Sequence, residues 1–297
     1  MESSDVSIGR ATALIVISAL SFGSISVLTV LTTAAAVPLL TAMAWRYALG
    51  ALLLSTAARA MAGRSISNRR VIQLFLIGGF GQALITYLTL YSLRYIPVGP
   101  LAFLFYTYPA WVAIVAAIRR TEKLTPVRIT ALVLALVGVT VMVGAPVGRL
   151  NPIGATLALA SALLYSIYLP ALEYVQEGIP AMFATFLLVL GAACSFLIAA
   201  GFARQLFIPR DAAVWTNILL LAVVSTVIAF SSLIKGLSVL GPVRTAIIAT
   251  VEPFFTAVLG VIVLGAQLSS ATIVGGILIA AAILVIEWSS TRVVATA

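Results

Sequence analysis

The sequence predicts an all-α polytopic membrane protein: ten transmembrane helices in two inverted five-helix repeats. Three observations predict it: the apolar content, the clustering of charge between apolar runs, and features that recur at a shift of 144 residues. Of 297 residues, 63% are apolar and only 8% charged, against roughly 25% charged in a soluble domain. Run after run reaches the roughly 20 apolar residues that a spanning helix needs.

In chain order the spans read as 11 to 31, 38 to 58, 71 to 93, 98 to 118, 125 to 145, 152 to 172, 180 to 201, 213 to 234, 241 to 264 and 269 to 288. Pro38, Pro126, Pro152, Pro180 and Pro242 stand at or near span starts. There the missing N–H has no intrahelical partner in any case. Arg10, the first apolar run and Ala34-Ala35-Ala36 together imitate a signal peptide with its cleavage site, but the run is longer than such a core. The repeat also requires it as a helix. Residues 1–147 form the first repeat, residues 148–297 the second, and the two make one integrated unit.

Absences narrow the chemistry. There is no His, so a His-based metal site, triad or proton relay is excluded, and no other metal-ligand cluster stands out. Cys194 is the single cysteine and has no internal disulfide partner. Asp5 and Asp211 both lie outside the spans, which excludes an intramembrane aspartate dyad. No phosphate-cradling loop is present, since neither Lys123 nor Lys235 follows a glycine. Without a nucleophile paired to a base, the chain does not read as an enzyme, and Gly78, Gly79, Gly81, Gly275 and Gly276 read as helix-packing positions rather than a cofactor loop. No cofactor is expected.

A net charge of +9 would suggest nucleic acid in a soluble protein. Here the basic residues occupy short loops, where they set membrane orientation, and no nucleic-acid partner is expected. One side collects Arg10, Arg59, Arg64, Arg69, Arg70, Arg119, Arg120, Lys123, Arg128, Lys235, Arg244 and Arg292; the other has Arg94, Arg149, Arg204 and Arg210. That imbalance predicts both termini in the cytoplasm.

Shifting the chain by 144 residues places Pro109 on Pro253, Leu93 on Leu237, Ala102 on Ala246 and Leu124 on Leu268. A shift of 142 places Pro38 on Pro180. Five spans is an odd number, so the second copy enters the membrane from the opposite side, an arrangement found in secondary transporters with a midplane site between the repeats. Charge agrees with it: the turn between spans four and five holds Arg119, Arg120, Lys123 and Arg128, and its counterpart, 266 to 270, holds none.

The layout, Tyr108-Pro109 and Glu252-Pro253 in spans four and nine, the turn Arg120-Thr121-Glu122-Lys123-Leu124-Thr125, and Trp45-Arg46-Tyr47 in span two resemble the drug/metabolite transporter superfamily. More narrowly, they resemble its EamA-type ten-helix exporters over essentially the whole chain. One departure is Ala266, where that family usually has Glu; Glu122 is its retained first-half equivalent. The resemblance implies a bacterial-type inner-membrane exporter of amino acids or related metabolites, working by alternating access through a central cavity, and it leans towards the aromatic amino acid exporters of the YddG type. The competing substrate class is drugs or other organic cations, and a channel is the competing mode. Expected partners are a small-molecule substrate, the lipid bilayer and, as candidate coupling ion, a proton.

Glu252 is the sole acidic residue deep within a predicted span. A charge there costs on the order of 2.5–3.5 kcal/mol, so such residues usually face a polar cavity. It reads as a contact for a substrate amine, a proton carrier, or a structural carboxyl. Arg46 poses the same question with opposite sign: a charge partner of Glu252 or a substrate contact, or a residue holding helix ends. Pro109 and Pro253 are candidate hinges. Tyr87 with Tyr91, Phe103 with Tyr106, and Tyr165 with Tyr168 and Ser161 share helix faces at three- and four-residue spacing. They are candidate cavity lining or interhelical glue. Trp215, Trp288, Tyr95 and Tyr174 lie near span ends and read as interface anchors.

Overall fold

The computed structural model describes residues 7–60, 66–122, 124–144, 150–265 and 269–295. Arg64, Lys123, Arg149, Ala266, Gln267 and Leu268, on which parts of the orientation and repeat readings fall, lie outside them. Among the described residues there is helix and turn but no strand. The helices are α1 (Ile8–Ala34), α2 (Leu39–Ala60), α3 (Asn68–Ser92), α4 (Val98–Phe105), α5 (Tyr108–Arg119), α6 (Pro126–Val143), α7 (Pro152–Gln176), α8 (Ala181–Phe202), α9 (Ala212–Ala249), α10 (Glu252–Leu264) and α11 (Ser270–Ala295).

These helices make ten spans. Nine segments are long and apolar enough to cross a bilayer, one of them the joined pair α4 and α5. The 38-residue α9 hides the start of the tenth. Its backbone leaves helical geometry at Gly241 (φ 74°, ψ 168°), just before Pro242. The segment 242–249 then continues into α10 after a short break at Thr250 and Val251. Span four is divided the same way, α4 ending at Phe105 and α5 starting at Tyr108. The two mid-span prolines therefore open new half-helices rather than kink continuous ones, each occupying a first turn where no N–H partner is lost.

Local chemistry sets several starts. Ser7, Thr125, Asn151 and Asp211 accept from backbone N–H groups in the first turns of α1, α6, α7 and α9, satisfying donors that a helix leaves unpaired. Two interior turns are π-helical, Ile77–Gln82 in α3 and Val223–Ile228 in α9. Each inserts a residue and rotates the faces beyond it. They occupy equivalent places in the two repeats.

Packing follows an inverted pseudo-two-fold arrangement. The equivalent helices α2 and α8 pack along each other, as do α6 and α11. α1 crosses α9 and α10, while its counterpart α7 crosses α3, α4 and α5. α1 thus sits in the bundle, with Ala11, Ile15 and Ala19 buried along its length. Small residues permit the close crossings. A Cβ on Gly138 would lie 2.8 Å from the Gly275 carbonyl oxygen, and one on Gly275 would lie 2.4 Å from that of Gly138. On the terminal face, where both ends of the chain lie, Thr12 of α1 donates to the Glu287 carboxylate of α11.

Candidate functional site

The site forms where the two broken spans meet. Glu252 opens α10, so its carboxylate stands at the positive end of that half-helix. Tyr106, in the equivalent break between α4 and α5, lines the same cavity as Glu252. α1 is drawn against this corner: Thr256 donates to the Gly23 carbonyl oxygen at 3.1 Å, and a Cβ on Gly23 would come within 3.1 Å of the Glu252 carbonyl oxygen. From α7, Tyr165 sets its ring edge-on to that of Tyr108, with centroids 4.7 Å apart, and Phe105 lies beside both.

These side chains border a cavity of about 490 Å³, within the range of small-molecule pockets. Phe22, Ile25 and Ser26 of α1, Gln82 and Thr86 of α3, and Pro253 and Thr256 of α10 complete its depth. From there its wall runs through Val98, Val143 and Thr272, which stand at helix ends on the face opposite the chain termini. Glu252 is its one charged lining residue among those described. The wall is otherwise aromatic and aliphatic, with a few hydroxyls and one amide.

Towards the terminal face Glu122 links the two repeats. Its Oε2 pairs with Arg128 Nη1 at 2.8 Å, and its Oε1 accepts from the Val243 backbone N–H at 3.2 Å. That N–H is exposed by the break at Gly241, where a Cβ would lie 3.2 Å from Glu122 Oε1. The carboxylate therefore caps a half-helix of the other repeat. Next to it Arg244 donates to the Ile286 carbonyl oxygen of α11.

The residues singled out from sequence divide. Glu252, Tyr106, Tyr165 and Pro253 line the cavity. Pro109 is buried behind Tyr108, in the first turn of α5. Tyr87 and Tyr91 lie away from the lining, stacked on each other at 5.1 Å, with Arg94 over the Tyr91 ring. The cavity takes Gln82, Thr86 and Thr89, the neighbouring stripe of α3, instead. Phe103 also falls outside the lining. Tyr168 is buried behind Tyr165 with its hydroxyl unpartnered, and Ser161 is buried with its hydroxyl bonded to the Ala158 carbonyl oxygen. Both pack between helices and do not face the cavity.

Arg46 does not pair with Glu252. It is fully buried, with Nε donating to Thr226 Oγ1 at 2.8 Å and Nη2 to the Ser225 carbonyl oxygen at 2.7 Å. Both partners stand in the π-turn of α9. Of the interface anchors, Trp288 and Tyr174 are exposed, and Trp215 donates to the Pro209 carbonyl oxygen. Gln82, Thr86, Thr256, Tyr108 and the α1 residues were not singled out as site residues. For Tyr108 a signal existed, since the 144-residue shift puts it on Glu252.

Two equivalent broken spans facing one cavity define a two-repeat membrane transporter. A family profile described as the EamA-like transporter family matches residues 9–144 and again residues 152–288. The chain belongs to the EamA-like transporter family, within the drug/metabolite transporter superfamily. No curated protein matches it. Among solved structures, one described only as a crystal structure of a protein superimposes with a TM-score of 0.80 at 18% identity, covering 96% of this chain and 99% of the other. That likeness concerns the fold.

Proposed function

We propose that this protein is an inner-membrane secondary exporter of small amphipathic amines or organic cations, working by alternating access between its two halves, residues 1–147 and 148–297, with both termini cytoplasmic. The observation that carries the reading is the charge of the cavity: Glu252 is its one charged lining residue among those described, and the buried Arg46 is committed to α9. A positively charged group finds a counter-charge there, and a carboxylate finds none. Of the two substrate classes raised by the sequence, the geometry thus favours organic cations over zwitterionic amino acids. The aromatic wall of Phe105, Tyr108 and Tyr165 suits an apolar or aromatic body.

Glu252 also suits a proton as coupling ion. A bare carboxylate at this depth is costly, and either a proton or an amine relieves that cost. The two compete for one group, which is the condition for exchanging one against the other. The basic loops support cytoplasmic termini, which makes the mouth at Val98, Val143 and Thr272 the external one.

The test is transport in proteoliposomes with an imposed pH gradient, using 2-phenylethylamine, tetraphenylphosphonium and phenylalanine. Gradient-driven movement of the two cations, lost in Glu252→Gln, is the expected result. Movement of phenylalanine alone, unaffected by Glu252→Gln, overturns the reading.

A further inference from the structure

Gln82 sits at the end of the π-turn of α3, is 8% exposed, and lines the cavity. Its amide is held from one side only. Nε2 donates to Thr86 Oγ1 at 2.9 Å, and that hydroxyl is 3.2 Å from the Tyr47 hydroxyl. Tyr47 is itself fully buried and stacked on Phe196 with centroids 5.4 Å apart. The side chain is therefore oriented by a hydrogen-bonded row rooted in the bundle core. Its other end is different: Oε1 is buried and has no hydrogen-bond partner.

A buried amide oxygen without a partner is costly, and most such groups in folded proteins are satisfied. The neighbouring polar groups do not satisfy this one. Thr86 is engaged with Nε2 and Tyr47, Thr89 donates to the Ile85 carbonyl oxygen, and Thr256 donates to backbone carbonyls of Gly23 and Glu252. Register explains why Gln82 is there at all. It closes the inserted turn and lies on the face of α3 that carries Ile85, Thr86 and Thr89 into the cavity.

We propose that Gln82 is a second recognition point in the cavity: its Oε1, shielded in this conformation, turns to accept a hydrogen bond from an N–H or O–H donor on the substrate while Glu252 receives the cationic nitrogen. The inference rests on the amine reading above and narrows it. The substrate class becomes amphipathic amines bearing a second donor, such as hydroxylated or amide-bearing aryl-alkyl amines, rather than purely hydrophobic cations. Glu252 and Gln82 reach the cavity from different repeats, α10 and α3, so a ligand engaging both bridges the halves that must move relative to each other. Thr86 and Tyr47 are positioning residues, acting through the amide.

The test compares binding of 2-phenylethylamine, tyramine and 2-amino-1-phenylethanol to the purified full chain by isothermal titration. The wild type is expected to bind at least one hydroxylated amine roughly fivefold to tenfold tighter than the parent, the scale of a hydrogen bond to an otherwise unpaired buried acceptor. Gln82→Leu is expected to abolish that preference while still binding the parent amine. Thr86→Val, which releases the amide without removing it, is expected to reduce the preference without abolishing it. An equal ranking of all three amines in the wild type, or a preference that survives in Gln82→Leu, overturns the role of Gln82 while leaving the amine reading intact. Failure of the wild type to bind any of the three overturns both.

Discussion

Glu122 offers the most direct perturbation of the conformational equilibrium. On the alternating-access reading, the terminal face must open to admit substrate, and the contacts made by this carboxylate are ones that opening would break. Glu122→Ala removes the cap on Val243 and the pair with Arg128. Loss of a cap costs about 1 kcal/mol. The ion pair is partly screened, its side chains being 14% and 24% exposed, and contributes up to about 1 kcal/mol. The sum, about 2 kcal/mol, corresponds to a shift of roughly thirtyfold in the ratio of the two conformations at about 1.4 kcal/mol per decade, provided both contacts are absent from the open form. The assay places a cysteine at Ala257, on the cavity wall, in a Cys194→Ala background, and labels it with a membrane-impermeant thiol reagent from each face separately. With Glu122 intact, labelling should come from the face opposite the termini. Glu122→Ala should raise labelling from the terminal face, and Glu122→Gln, which keeps an acceptor for Val243 but loses the charge, should fall between. Identical labelling in all three folded proteins would refute the argument.

Further consequences are open to measurement. Arg46→Ala should lower stability by about 2 kcal/mol, because it removes the two buried hydrogen bonds that the guanidinium donates to Thr226 Oγ1 and the Ser225 carbonyl; half-life in detergent would show it, with Glu252-dependent binding preserved in the surviving folded fraction. Gly138→Leu should disrupt the crossing of α6 and α11, where even a Cβ would meet the Gly275 carbonyl oxygen at 2.8 Å; a monodisperse, wild-type-like chromatographic profile would contradict this. Tyr106→Phe should weaken amine binding about fivefold by removing a hydroxyl from the cavity wall that also holds Glu252, and unchanged titration curves would sink that assignment. Pro109→Ala and Pro253→Ala should cost less than about 1 kcal/mol, since each proline occupies a first helical turn rather than a helix interior; strong destabilisation by either would place a mid-helix kink back in the account.

What could be read from sequence follows from which signals are local. Spanning helices are legible because the bilayer imposes a length of roughly 20 apolar residues on each, and Glu252 is legible because an intramembrane acid is costly wherever it stands. The breaks before Pro109 and Pro253 were visible as prolines, but whether a proline kinks a helix or begins one depends on the two residues before it adopting a turn. The π-turns were hidden. Ile77–Gln82 contains three glycines while Val223–Ile228 contains none, so no composition marks them. Spacing did put Tyr87 and Tyr91 on one face, where their rings stack, but it does not say which face of α3 turns to the cavity. Tyr87 and Tyr91 were candidates on that spacing, and Gln82 with Thr86 takes the inward stripe. The partners of Arg46 were hidden for a different reason: they lie 179 and 180 residues away, and no spacing rule along one helix reaches them.

The repeats share a backbone plan, and the chemistry lies where their side chains stop matching. At the two breaks, Tyr108 of the first repeat stands where the second has Glu252, so one half-helix end presents a phenol and the other a carboxylate. A cavity between identical halves would carry its charges in pairs; this one carries a single charge with an aromatic wall opposite. The turns behave alike in outline, α5 and α10 both ending in a left-handed residue, Arg120 and Gly265. Their sequences diverge, with Glu122 in one and Ala266 in the other. If the protein alternates between two inverted forms, a carboxylate on one face and none at the equivalent sequence position on the other would give those forms different energies. On the alternating-access reading, symmetry in the backbone makes two related conformations geometrically available, and asymmetry in these few side chains would decide which is favoured and what charge can occupy the space between them.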